Sequence, residues 1–442
     1  MEHAPVSEGG RPLRSPERAP RPEGRTLVAA GAGNAAEWFD WALYATFASF
    51  LAGALFSKAD PASAFLQTLA IFAVGFVARP VGGWLFGLAG DRIGRKRAML
   101  ASVLLSAAGS LLIGVIPDYS VIGAWASLLL VVGRICQGLA HGGELPTAQT
   151  YLAEISPREE RGAYASVIYV SGTLGIVGGS LVGAVLASLL SHEQMAQWGW
   201  RIPFLLGGVL GLVTLLLRSR MDESELFEDV KEEGVDAPST WQTVRENWRS
   251  GLTVIGLTVG LTVAYYVWSV SAPAYAINVL GVDEKGALWA GVAANLFMVA
   301  VLPLWGRLSD RIGRRPVLLI GALGTALVFF PATAMIRGTA LSLGLAMALA
   351  LLFVSAFAAI SPAVYAELLP TKSRTLGVAI PYALCVALFG GTAAYLQAGM
   401  KQWFGAHGGD AFNGYAVVLL LVSAVVVLRI PETRGKDLRE DD

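Results

Sequence analysis

Gly87-Leu-Ala-Gly-Asp91-Arg92-Ile-Gly94-Arg95-Lys96 and Gly306-Arg-Leu-Ser-Asp310-Arg311-Ile-Gly313-Arg314-Arg315 share one pattern, G-x-x-x-D-R-x-G-R-[RK], repeated 219 residues apart. Each copy follows the second long apolar run of its half of the chain, so the repeat reads as a duplication of a larger unit. Working outward from the two motifs, twelve apolar runs emerge. The first six lie near 27–56, 64–90, 98–116, 122–146, 162–190 and 199–218, the second six near 250–278, 286–306, 315–336, 340–366, 374–400 and 411–429. Each approaches the roughly 20 residues needed to cross a hydrocarbon core about 30 Å thick. Composition agrees: of 442 residues 55% are apolar and 15% charged, with a mean hydropathy of +0.57. A soluble enzyme, a disulfide-stapled secreted protein and a disordered chain are excluded. The 51 glycines lie within the runs as well as between them, as expected where helices pack closely inside a bilayer.

Lys and Arg set the orientation. Of 33, 26 fall in the N-terminal tail, the even-numbered loops and the C-terminal tail, against five in the odd-numbered loops, namely Lys58, Arg201, Lys285, Arg337 and Lys401. The positive-inside rule then places both termini in the cytoplasm. Residues 1–26, rich in Pro and Arg, read as a disordered cytoplasmic tail. The first run is too long for a cleaved signal peptide and carries Glu37 and Asp40, so it reads as a retained helix. The acidic stretch 219–249 reads as a cytoplasmic linker between a six-helix half at 27–218 and another at 250–430, with a tail at 431–442. Equal acidic and basic totals give no reason to expect nucleic acid as a partner. Cys136 and Cys385 fit no disulfide or zinc spacing, and no metal-ligand cluster, nucleotide-binding loop or cofactor motif is present. The expectation is an all-α membrane protein without enzymatic activity, energised by an ion gradient.

Charge inside the membrane costs about 2.5–3.5 kcal/mol per helix-centre residue on insertion scales, so each instance calls for a reason. Glu37 and Asp40 lie three apart on the first span. Arg79 lies deep in the second, Arg134 and Gln137 share a face of the fourth, and Glu144 lies further along it. Arg offers a planar fork that meets a carboxylate bidentately. A carboxyl group nearby can exchange a proton as its partner changes. The expectation is that Arg79, Arg134 and Gln137 bind the carboxylates of a small acid while Glu37 or Asp40 carries the proton, with Glu144 and His141 as further proton-coupling candidates. The bland alternative is that these charges pair among themselves and hold spans 1, 2 and 4 together. In the second half Tyr265, Tyr266, Tyr382 and Tyr395 are expected to line the cavity, an interfacial aromatic belt being the alternative. Asp91, Arg95, Asp310 and Arg314 read as a cytoplasmic gate as well as topology signals. Glu154 with Arg161, Glu367 with Arg374 and Pro431-Glu432-Thr433-Arg434 read as helix-end gate or packing elements. Pro273, Pro303, Pro362 and Pro381 mark kinks. Gly172, Gly175, Gly178, Gly179 and Gly183 form a close-packing face of span 5.

The doubled motif resembles that of the major facilitator superfamily. Glu37-Trp-Phe-Asp40-Trp, Arg79-Pro-Val-Gly-Gly-Trp-Leu-Phe-Gly87, Arg134-x-x-Gln137-Gly138 with Gly142-Gly143-Glu144, and Trp198-Gly-Trp-Arg201-Ile-Pro203-Phe resemble the metabolite–proton symporters within it, over roughly residues 27–430. His141, Ala394 and Leu145-Pro146 depart from that pattern. The resemblance implies a major facilitator fold with both termini cytoplasmic, most often monomeric, in a bacterial inner membrane. It also implies import of a small organic anion, α-ketoglutarate or a similar dicarboxylate, by proton symport through alternating access. Proton-coupled uptake of a zwitterionic osmolyte such as proline or betaine is the alternative, and a non-transporting sensor a remoter one. The partners expected are the organic acid, protons and the lipid bilayer.

Overall fold

The computed structural model describes residues 24–57, 59–93, 95–142, 149, 152–219, 248–369 and 374–438. Among them, the side chains of 24–26, 28–30, 87–93, 95–96, 98–99, 214, 217–219 and 374–376 are not described. The described chain is helical, without strands. Bilayer-buried backbone has no water to bond, and helices satisfy every internal N–H and C=O locally. The first half comprises α1 (Gly24–Thr46, extended by Ala48–Leu55), α2 (Pro61–Ile93), α3 (Arg95–Val115), α4 (Ala124–Ala140), α5 (Arg161–Leu189) and α6 (Arg201–Ser219). The second half comprises α7 (Trp248–Tyr265, then a π turn Tyr266–Ser271, then Ala272–Leu280), α8 (Glu284–Ile312), α9 (Arg314–Met335) and α10 (Ala340–Leu368). It closes with α11 (Arg374–Cys385, a π turn Val386–Gly390, then Gly391–Phe404) and α12 (Gly408–Arg429).

Among the described residues seven helical stretches are long and apolar enough to span a membrane unaided, and one of them, Gly377–Arg429, holds two spans end to end. The shorter apolar stretches Leu100–Val115, Ala124–Ala140 and Arg201–Val213 supply three more. The twelfth is α1, whose apolar length is interrupted by buried Asn34 and Glu37 and partly buried Asp40. The predicted spans agree with these helices to within a few residues, except that α4 ends at Ala140 and residues 143–148 are not described. The predicted linker 219–249 lies almost wholly outside the described residues.

Large apolar side chains such as Leu104, Leu206, Leu304, Leu327 and Leu428 are exposed on the outer faces, where lipid replaces the missing protein neighbours. Charged groups within the spans, such as Glu37, Arg79 and Arg134, turn inward. The halves meet where α5 packs on α8 and α10 and where α2 packs on α11. Within the first half α1 lies against α5, and α2 against α4. Their closeness rests on small residues. A Cβ on Gly138 of α4 would fall 2.1 Å from the Gly75 carbonyl oxygen of α2, and one on Gly175 of α5 would fall 2.2 Å from the Ala35 carbonyl oxygen of α1. The glycine face of α5 is thus the seat of α1.

Pro303, Pro362 and Pro381 lie inside helices, and Pro273 opens the segment after the first π turn. The π turns within α7 and α11 were not legible beforehand. Each interrupts a helix of the second half beside the inter-half face, a place where irregular backbone can line a cavity.

Candidate functional site

Close packing of α1, α2 and α4 brings four charged side chains into one layer. Arg79 Nη2 lies 3.1 Å from Glu37 Oε1, and both side chains are buried. Arg134 is fully buried and donates from Nη1 to Gln137 Oε1 at 2.8 Å. Its Nε and Nη2 have no hydrogen-bond partner among the described residues. Both cations also face aromatic rings. Arg79 Cζ stands 4.1 Å from the centre of the Trp41 ring and 4.8 Å from Phe76. Arg134 Cζ stands 4.1 Å from Trp41, 4.4 Å from Tyr44 and 5.3 Å from Phe72. Out of water a ring face offsets part of a cation's lost hydration.

From Arg134 a polar chain runs to Asp40. Gln137 Nε2 donates to Ser110 Oγ at 2.8 Å, Ser110 Oγ to Asp40 Oδ2 at 3.3 Å, and Ser106 Oγ to the same oxygen at 3.2 Å. His141 Nε2 is 3.1 Å from Ser106 Oγ and 3.9 Å from Asp40 Oδ2. Glu37 and Asp40 therefore serve different neighbours, α2 and α3. Three residues along a helix leave about 60° between side chains, enough to aim them at separate helices.

The second half contributes hydroxyls and rings. A narrow inner void between the halves is lined by Trp38 and Tyr169 from the first half and by Thr262, Tyr265, Tyr266 and Tyr382 from the second. Tyr265 OH lies 3.3 Å from Thr173 Oγ1, while Tyr266 OH and Thr262 Oγ1 are buried without partners among the described residues. A second, outer void, also narrow, lies nearer the periplasm, between Phe65, Leu69, Phe72, Ser271, Tyr275 and Gln397. Neither guanidinium lines either void. Phe72 separates the outer void from Arg134. Tyr266, edge-on to Phe76 at 5.0 Å, separates the inner void from Arg79. The layer is screened by rings on both sides. Tyr395 is not part of it: its ring packs against Trp403 at 5.8 Å.

On the cytoplasmic side the halves are joined by charge. Glu367 of α10 accepts from Arg161 Nη1 at 2.9 Å, from Arg314 Nη2 at 3.3 Å and from Thr433 Oγ1 at 2.6 Å, and its side chain is completely buried. Asp310 pairs with Arg314 Nη1 at 2.7 Å and accepts from the backbone N–H groups of Gly162 and Ala163, at 2.8 and 2.9 Å, at the start of α5. The predicted gate residues Asp310 and Arg314 thus sit in an inter-half cluster. Glu367 reaches Arg161 and Arg314, whereas the sequence reading placed it with Arg374, whose side chain is not described. The i,i+7 spacing of Glu367 and Arg374 carries no information about a partner 206 residues away. Glu432 accepts from the Arg314, Arg315 and Arg434 backbone N–H groups at 2.8, 3.1 and 3.0 Å. Burial tends to raise its carboxyl, but these bonds outweigh burial and hold it below the usual carboxylate range. Asp91, Arg95 and Glu144 lie outside the described side chains. On the periplasmic side His192 Nδ1 meets Glu284 Oε2 at 3.0 Å and Trp289 Nε1 donates to Ser188 Oγ at 3.2 Å, so contacts join the halves at both ends.

Trp38, Trp41, Ser106, Ser110, Phe72, Phe76 and Tyr169 were not singled out from the sequence. A signal existed for one of them. Asn34, Glu37, Trp41 and Tyr44 follow helical spacing, so a Trp on the polar stripe of an intramembrane helix was a candidate.

The sugar (and other) transporter family matches residues 25–250 and again 225–442. The chain is 36% identical to the alpha-ketoglutarate permease of Escherichia coli (strain K12), over 93% of this chain and 94% of that protein. It is 32% identical to the proline/betaine transporter of the same strain, over 94% and 85%. Its fold is similar to a crystal structure of a D-xylose-proton symporter, with a TM-score of 0.73 at 22% identity over 93% of this chain and 98% of the other. It is also similar to the partially occluded inward open xylose transporter XylE from E. coli, with a TM-score of 0.70 at 21% identity over 93% and 98%. Twelve helices in two related halves, intramembrane charge gathered within the first half and matches over nearly the whole length lead to one conclusion. The chain belongs to the sugar (and other) transporter family of the major facilitator superfamily, and is a secondary transporter, not an enzyme, that crosses a bacterial inner membrane many times.

Proposed function

We propose that this transporter imports a small organic anion, α-ketoglutarate or a similar dicarboxylate, by proton symport through alternating access. The observation that carries the reading is Arg134: a fully buried guanidinium with Nε and Nη2 unpartnered among the described residues, next to a second buried guanidinium, Arg79. Buried N–H donors without acceptors cost free energy unless a visiting acceptor repays it. Two arginines with such donors suit an acid better than a sugar, and the likeness to an alpha-ketoglutarate permease points the same way.

Coupling follows from competition. Glu37 occupies Arg79 at 3.1 Å, so a substrate carboxylate approaching Arg79 must displace it. A proton on Glu37 removes that competition, and by linkage substrate at Arg79 favours the proton on Glu37. Asp40, more exposed than Glu37, with Ser106 and His141 beside it, offers a passage for the proton. Gln137 links Arg134 to this passage through Ser110. Opening the Asp310–Arg314–Glu367–Arg161 cluster would then release cargo to the cytoplasm.

A second reading is favoured by the inner void. The rings of Trp38, Tyr169, Tyr265, Tyr266 and Tyr382 around one space suit the quaternary ammonium of a betaine, with one arginine taking its carboxylate. Relatives named proline/betaine transporters fit that reading. Uptake into proteoliposomes with an imposed pH gradient separates the two. Accumulation of a dicarboxylate, abolished by an uncoupler, is expected; accumulation of betaine or proline alone would replace the first reading with the second. Glu37→Gln should keep substrate exchange but lose uphill accumulation, and unimpaired accumulation would refute the coupling scheme.

A further inference from the structure

Trp41 faces both cations. Arg79 Cζ and Arg134 Cζ each lie 4.1 Å from its ring centre, so the two charges cannot be more than about 8 Å apart. Two like charges this close, out of water, repel unless something intervenes. Glu37 pairs with Arg79, whereas Arg134 is hydrogen-bonded toward Asp40 through Gln137 and Ser110 among the described residues. An aromatic face supplies the missing negative potential and fixes where each guanidinium stands. The ring is itself fixed, 1% exposed and in contact with Phe72 at 5.7 Å and Phe76 at 4.1 Å. Its indole Nε1 is buried without a partner among the described residues, as are Arg79 Nε and the Arg134 Nε and Nη2. A Phe would avoid burying that N–H, so the larger π face and the extra donor are the features that distinguish Trp here. Gly75 makes room for the arrangement: a Cβ there would lie 2.9 Å from Trp41 Cη2 and 3.0 Å from Arg134 Nη2.

We propose that Trp41 is the positioning residue of the anion site, standing in for substrate carboxylates while the site is empty and setting the spacing of Arg79 and Arg134 that selects acids by the distance between their carboxylates. The proposal rests on the reading of this protein as an organic-anion importer. Its ligand class is a short dicarboxylate that engages both guanidiniums at once, with orientation supplied in advance by the ring.

The test is initial-rate uptake by the full-length protein in proteoliposomes for four-, five- and six-carbon dicarboxylates and one monocarboxylate. Wild type is compared with Trp41→Leu, Trp41→Phe and Gly75→Ala. Losing the π face should raise KM for the preferred dicarboxylate about tenfold or more in Trp41→Leu and flatten the preference for chain length, while Trp41→Phe keeps both within a fewfold of wild type. Gly75→Ala, a smaller push on the same contact, should shift the chain-length preference with little loss of Vmax, and it serves should Trp41→Leu fail to fold. If the variants lower Vmax equally for every acid with KM ratios unchanged, Trp41 is only packing and the proposal is overturned. Wild-type vesicles that accumulate none of the acids would instead overturn the anion reading itself.

Discussion

Arg134→Lys separates charge from geometry at the centre of the proposed site. Arg134 gives one N–H to Gln137 and holds Nε and Nη2 free of partners among the described residues, the edge from which a guanidinium bonds a carboxylate twice. A lysine keeps the positive charge but donates from a point, so one charge-assisted bond to the substrate is lost. Such a bond is worth about 1.5–3 kcal/mol. At about 1.4 kcal/mol per factor of ten, KM should rise roughly ten- to a hundredfold. Stability should change far less, because an ammonium would still sit among the rings of Trp41, Tyr44 and Phe72, which attract either cation. The assay is proton-driven uptake of radiolabelled dicarboxylate into proteoliposomes, with reconstituted amounts matched and thermal unfolding of the detergent-solubilised variant measured alongside. A KM within twofold of wild type would assign Arg134 to holding α1, α2 and α4 together and would refute the reasoning.

Other outcomes follow from the same contacts. Glu367→Gln leaves Arg161 and Arg314 facing a neutral amide in a sealed site; breaking a buried pair costs about 3–5 kcal/mol, so the cytoplasmic end should open at least a hundredfold more often. Faster labelling of a cysteine at Thr258, from the cytoplasmic side in a background lacking Cys136 and Cys385, would register it, and unchanged labelling would contradict it. Gly138→Ala puts a methyl 2.1 Å from the Gly75 carbonyl and should cost about 1–3 kcal/mol of stability, whereas Gly53→Ala, which meets nothing within 4 Å, should cost little; equal melting temperatures would count against close α2–α4 packing. The Glu432 carboxyl is held below its unfolded value, so its stabilising effect is present above the usual carboxylate range and fades as pH falls through its folded value. Glu432→Gln should therefore lower the melting temperature at neutral pH and narrow its difference from wild type toward pH 4, a gap constant with pH being the contrary result.

Hydropathy was sufficient for the twelve spans, the doubled motif for the two halves, and the distribution of Lys and Arg for the cytoplasmic placement of both termini. These depend on the transfer of each segment from water to lipid, a sum over neighbours in sequence that needs no knowledge of packing. The intramembrane charges Glu37, Asp40, Arg79 and Arg134 were legible for the same reason, as was the sharing of a face by Arg134 and Gln137. Their partners were not. Whether Glu37 turns to Arg79 while Asp40 turns to Ser106 and Ser110, whether Glu367 meets Arg161 across the two halves, and whether Trp41 faces two guanidiniums depend on helix rotation and on approaches that Gly75 and Gly138 permit. Such contacts join residues far apart in the chain and are selected by packing among alternatives of similar hydropathy, so they exist only once the helices have been assembled.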